Sequence, residues 1–224
     1  MDTIIEAVRE ELISNAEDKT RISGERFFKE NVKIHGVKSA VSEQIAKEFF
    51  RKLKDRDKTE IFGLCEELLK SGYLEEAGVA CNWSYYVRKD YIPDDLLIFE
   101  KWVDNYVTNW AVCDTLCNHS AGTLVEMYPD KLNDLKRWAK STNRWMRRAS
   151  AVSLIVPARK GLFLDDIFEI AGILLQDKED MVQKGYGWML KAASHVHQRQ
   201  VFEYVVKNKA KMPRTSLRYA IEKM

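Results

Sequence analysis

The sequence predicts an all-α protein, a solenoid of two-helix repeats, on three observations. Apolar residues recur at helical spacing along nearly the whole chain, no long stretch alternates with period two, and a tryptophan-bearing pattern returns every 35 or 36 residues. Four prolines (Pro93, Pro129, Pro157, Pro213) stand mostly where helices would begin or end.

Taken in order, Ile4, Ile5, Val8 and Leu12 make the first apolar stripe, then Val41, Ile45, Phe49 and Leu53, then Ile61, Leu64, Leu68 and Leu69. Short breaks fall at 35–39, 53–57 and 70–72, and none has the length or composition of a linker. Residues 1–224 therefore read as a single domain. The repeat enters at Trp102, which precedes Asn109-Trp110 as Trp138 precedes Asn143-Arg144-Trp145. Another shift of 36 lays Arg148 on Lys184 and Ala149 on Gly185. A two-helix unit of this period signals an α-solenoid of the HEAT type, an armadillo-like superhelix. Stacked helix pairs curve, so the inner helices are expected to build a concave face.

Charge is spread unevenly. The net charge is only +2, yet residues 131–224 hold 19 Lys/Arg against 9 Asp/Glu, and the first 130 hold 17 against 25. A basic second half is expected to meet an anion, so the concave face should be basic there. The N-terminus reads as an amphipathic helix start, with no signal peptide and no membrane-spanning run. Cys65, Cys81, Cys113 and Cys117 lie in helical or apolar surroundings and read as reduced, which suggests the cytoplasm. Cys113, Cys117 and His119 lack zinc-site spacing, so no metal is expected.

Two segments carry candidate chemistry. In Trp110-Ala111-Val112-Cys113-Asp114, the tryptophan and the aspartate are i, i+4 neighbours on one helix face, with Val112 and Leu116 turned toward a core. A carboxylate beside an indole is open to tuning by desolvation and by nearby cations; the plainer alternative is that Asp114 satisfies backbone amides or an arginine. In the helix from Asp180 to His195, Val182, Tyr186, Met189 and Ala193 form the buried stripe, while Lys184, Trp188, Lys191 and His195 form a second, polar one. An indole among cations suits a polyanion carrying flat bases; a covering helix is the alternative. Gly185 and Gly187 inside this helix point to the close approach of another backbone or a ligand. Arg144, Arg147 and Arg148 add charge from the preceding repeat, with Trp145 assigned to the core, and Lys207, Lys209, Lys211, Arg214 and Arg218 add it from the tail, as phosphate contacts or as a solvated face.

These segments resemble the AlkD-like DNA glycosylases, HEAT-like repeat proteins acting on alkylated purines. The resemblance spans essentially the whole chain and is carried by 109–114, by 143–149 and by 182–190. It implies that Trp110, Asp114 and Trp188 do the catalytic work and that Arg148 lines the DNA cleft. Lys184, Lys191, Arg144, Arg147 and Arg214 are the further DNA-binding candidates. Phe27 stands where the family often has tyrosine, keeping the shape and losing a hydroxyl, and Ala111 stands where a polar residue can follow the tryptophan. The implied activity is hydrolysis of the glycosidic bond of cationic N3- or N7-alkylpurines in duplex DNA, without base flipping and without a cofactor. The expected setting is a monomer in the cytoplasm, on the nucleoid when bound to DNA. Two other classes fit the same residues: a non-catalytic HEAT-repeat DNA binder, and a protein-binding scaffold.

Overall fold

The computed structural model describes residues 2–224 and is helical along most of its length. In chain order the helices are α1 (Thr3–Ser14), α2 (Asp18–Phe27), α3 (Ser39–Phe50), α4 (Lys58–Lys70), α5 (Leu74–Tyr86), α6 (Asp95–Tyr106) and α7 (Trp110–Leu116). They continue with α8 (Gly122–Met127), α9 (Leu132–Trp138), α10 (Arg144–Val152), α11 (Ile155–Arg159), α12 (Leu164–Ile173), α13 (Asp180–Asn208) and α14 (Arg214–Ile221). Among the described residues the only β pairing is an isolated parallel bridge between Lys33 and Tyr73. The all-α, HEAT-like fold class read from the periodicity is the one observed. Packing contacts divide the chain into two units, Met1–Tyr91 with Asn105–Thr115, and Ile92–Asp104 with Leu116–Met224.

In the first unit, α1 packs on α3 and α4, and α5 packs on α3 and α4. The predicted stripes supply the contact surfaces: Ile5, Val8 and Leu12 of α1 are fully buried, as are Cys65 and Leu68 of α4. Asp57 caps α4 in a reciprocal capping box with Glu60, satisfying two orphan amides of the first turn. Trp83 of α5 is fully buried and donates its Nε1–H to the Ala46 carbonyl of α3 at 2.8 Å, which locks the rotation of one helix against the other.

The extended segment at 28–38 is held by a carboxylate. Glu75, 5% exposed in the first turn of α5, accepts from the amides of His35 (3.0 Å), Gly36 (2.8 Å) and Val37 (3.1 Å). Its neighbour Glu76 takes Arg9 at 2.8 Å and the His35 ring at 3.1 Å.

The second unit is organised around α13, which packs on α10, α11, α12 and α14. Val182, Tyr186, Met189 and Ala193 are fully buried, so the predicted stripe is the one that faces inward. Trp102 and Trp138, one repeat apart, are both buried, and Trp145 is 6% exposed, a core residue as the sequence implied. Helix α13 kinks at His197, whose φ/ψ of −113/45 is non-helical and whose ring nitrogen lies 2.9 Å from the Gly161 carbonyl oxygen. No helix among the described residues is long and apolar enough to cross a membrane.

Candidate functional site

In the first unit the candidate chemistry sits on α7. Asn109, 3% exposed, accepts the Val112 amide on its Oδ1 at 3.0 Å, an N-cap that fixes where the helix begins. With the start fixed, the 3.6-residue turn sorts the side chains. Val112, Cys113 and Leu116 are buried, Trp110 is half-buried and Asp114 is 9% exposed. Ala111 and Thr115 lie on the next face around. They help line a cavity of about 460 Å³ that also touches Gly24, Ser42, Gly78 and Asn82.

Trp110 belongs to an aromatic cluster. Phe27 lies 5.8 Å from it, ring centre to ring centre, at 63°, and Phe28 lies 5.6 Å from it at 33°. The two phenylalanines meet edge to face at 5.5 Å. Phe27 is 69% exposed, so the residue expected in place of the family tyrosine is at the surface beside Trp110. The sequence reading had no signal for Phe28, which lies outside any helical stripe.

In the second unit, the predicted polar stripe of α13 runs along its accessible side: Lys184, Trp188 and Lys191 are half-buried and His195 is exposed. The lysines are ion-paired, Lys184 with Asp180 at 2.7 Å and Lys191 with Glu222 at 2.9 Å. The Lys191 hydrogen bond draws the Glu222 carboxyl below the usual carboxylate range. Arg144 lies over the Trp145 ring, 4.6 Å from its centre, and pairs with Glu179 at 3.4 Å. Arg214, at the start of α14, is exposed.

Two of the expected DNA contacts, Arg147 and Arg148, have partners within the protein. Arg147 pairs with Asp177 at 2.6 Å and donates to the carbonyls of Ser141 and Thr142, tying the turn before α10 to the turn before α13. Arg148 is 5% exposed and donates to the Met181 carbonyl. Its stem fills the space that Gly185 leaves, where an added Cβ would come within 3.4 Å of the arginine Cγ. Both guanidiniums hold internal partners in this structure.

The glycines are explained by packing. At Gly187 an added Cβ would lie 2.8 Å from the Ser216 carbonyl oxygen, so the backbone that approaches is that of α14. All four cysteines are buried and none is in a disulfide.

Comparison with known proteins follows this geometry. The DNA alkylation repair enzyme family matches the chain over residues 8–224. No curated protein matches it. Among solved structures, a predicted DNA alkylation repair enzyme from Enterococcus faecalis superposes with a TM-score of 0.84 at 15% identity, covering 94% of this chain and 97% of that one.

Proposed function

Because the chain belongs to the DNA alkylation repair enzyme family, we propose that it is a DNA glycosylase acting on cationic N3- or N7-alkylated purines in duplex DNA. The observation that carries this reading is the nearly buried carboxylate of Asp114 on the helix face that also presents the Trp110 indole.

An alkylated purine of this kind carries a positive charge and leaves as a neutral base, so it needs little help from a general acid. The bond between C1′ and the base nitrogen breaks with its electron pair going to the purine. Water adds at C1′ and its proton passes to solvent. Positive charge builds on the sugar in between. A carboxylate in a water-poor site opposes that charge, an effect worth about 3 kcal/mol for a single well-placed group. Indole faces add cation–π attraction of about 0.5–2 kcal/mol. In this reading Asp114 stabilises the sugar cation and orients the water, Trp110 contacts the deoxyribose, and Trp188 of the second unit is the further indole proposed for catalysis. Contact with the sugar and backbone, and not with the base, lets the lesion stay stacked without being flipped into a pocket.

Lys184, Lys191, Arg144 and Arg214 would bind phosphates. The ion pairs holding the first three are partly exposed and weak in water, so phosphate can displace the carboxylates. Phe27 supplies shape beside Trp110 without a hydroxyl donor.

The test is base release from duplex DNA carrying N7-methylguanine or N3-methyladenine, comparing wild type with Asp114→Asn. Release by wild type that falls by 100-fold or more in the variant, on the order expected for one electrostatic catalytic group, supports the reading. No release by wild type, with salt-sensitive DNA binding intact, assigns the protein instead to non-catalytic DNA binding.

A further inference from the structure

The proposed chemistry uses Trp110 and Phe27 and leaves unexplained the third ring of their cluster. Phe28 is the first residue past α2, with an extended backbone (φ −88, ψ 144) that turns the chain out of the helix. Consecutive side chains at such a break diverge. Phe27 accordingly stays 69% exposed, while Phe28 is half-buried. The two rings also meet the indole differently. Phe28 is inclined to it by only 33°, whereas Phe27 approaches at 63°, edge first. The Phe28 ring is tilted but is the one inclined to face the indole, whereas Phe27 presents an edge.

No residue of α2 is buried. Ala111 and Thr115, on the next face of α7, line the cavity. An indole on a helix has several χ1 and χ2 rotamers open to it, and a ring packed against it selects among them.

We infer that Phe28 is a positioning residue for Trp110: its ring covers one indole face and fixes the rotation of the other toward DNA. This rests on the proposed role of Trp110. It assigns to Phe28 no contact with substrate, and it separates the two phenylalanines, one a surface shape and the other an internal stop. Catalytic geometry is sensitive to displacements of about 1 Å, so an unblocked indole should slow the chemical step and not weaken DNA binding.

The experiment uses the full-length protein labelled with 5-fluorotryptophan, the Trp110 resonance being identified by its loss in Trp110→Phe. Wild type, Phe28→Ala, Phe28→Leu and Phe28→Tyr are compared by ¹⁹F spectra and by single-turnover release of N7-methylguanine. The expected result in Phe28→Ala is a displaced and exchange-broadened Trp110 signal, with a single-turnover rate down about tenfold or more and DNA affinity within twofold. Phe28→Tyr should restore both signal and rate, and Phe28→Leu, which fills volume without a flat face, should restore neither. If Phe28→Ala leaves the Trp110 signal where it is, or Phe28→Leu rescues fully, the inference is wrong. If wild type releases no base, the glycosylase reading fails, while the ¹⁹F spectra still decide whether Phe28 holds the indole.

Discussion

Arg148 of α10 donates its guanidinium to the main-chain carbonyl of Met181 in α13, across a contact where Gly185 carries no side chain. A carbonyl of the α13 first turn, already within the helix ladder, therefore accepts a second hydrogen bond from a buried cation of the neighbouring helix. The pairing of Arg148 and Gly185 is a lock between two helices, and each half makes sense only with the other.

Arg148→Ala should therefore act on stability. Removing a buried charged hydrogen bond costs about 1.5–3 kcal/mol. Equilibrium urea unfolding would show this as a lowered midpoint with an unchanged slope. A midpoint indistinguishable from wild type would mean that the guanidinium is not a structural tie.

Two glycines inside helices should respond in opposite directions to alanine. In α5, a Cβ at Gly78 meets nothing within 4 Å, so Gly78→Ala gains helix propensity without a clash and should stabilise by about 1 kcal/mol. In α13, a Cβ at Gly187 would lie 2.7 Å from the Tyr219 Cβ and 2.8 Å from the Ser216 carbonyl oxygen. Gly187→Ala must push α14 away, with loss of the Tyr186 contact to Ser216 at 2.5 Å, and should destabilise by about 1–3 kcal/mol. Thermal melts of the two variants side by side would reveal the difference in sign.

These cases mark what a sequence shows and what it withholds. Periodicity placed Val182, Tyr186, Met189 and Ala193 inward and Trp188 on the other stripe, because a helix obliges residues three and four apart to share a face. It placed Val112 and Leu116 away from Trp110 for the same reason. It could not reveal the internal partners of Arg147 and Arg148, since a basic residue next to an apolar stripe looks alike whether its guanidinium meets phosphate, Asp177 or a carbonyl. Glu75 and Glu76 were equally silent. Two acids in a first helical turn are the ordinary complement to the helix dipole, and nothing local says that both are buried against residues 35–37 and Arg9. Phe28 was missed because its partner lies on a helix eighty residues away.

Glu76 should give the protein an acid-sensitive component. Burial pushes its carboxyl upward, but the hydrogen bonds from His35 and Arg9, with the Arg9 charge, outweigh it and hold the carboxyl below the ordinary value. A group whose pKa is depressed by folding contributes stability above its unfolded pKa of about 4.3, and that contribution is lost as pH falls through the folded value. Urea midpoints of wild type should decline below about pH 4.5 more steeply than those of Glu76→Gln, which starts lower and has less to lose. Parallel declines in the two proteins would show that the carboxylate is not a source of acid sensitivity.

The cations of the second unit should separate into two groups when DNA affinity is measured against salt. Lys184 and Lys191 stand on the accessible stripe of α13 with partly exposed partners, and releasing those partners to meet phosphate costs little. Each phosphate contact contributes about 0.9 to the slope of log affinity against log salt on duplex DNA, so Lys184→Ala and Lys191→Ala should each flatten the slope by roughly that amount. Arg147 is different. Its Asp177 partner is 8% exposed and accepts two bonds from it, and two backbone carbonyls accept two more, so a phosphate would have to break four bonds to capture it. Arg147→Ala should lower the unfolding midpoint and leave the salt slope at the wild-type value. A flattened slope in Arg147→Ala would mean that the ion pair opens on DNA, and the internal role given to that arginine would have to be withdrawn.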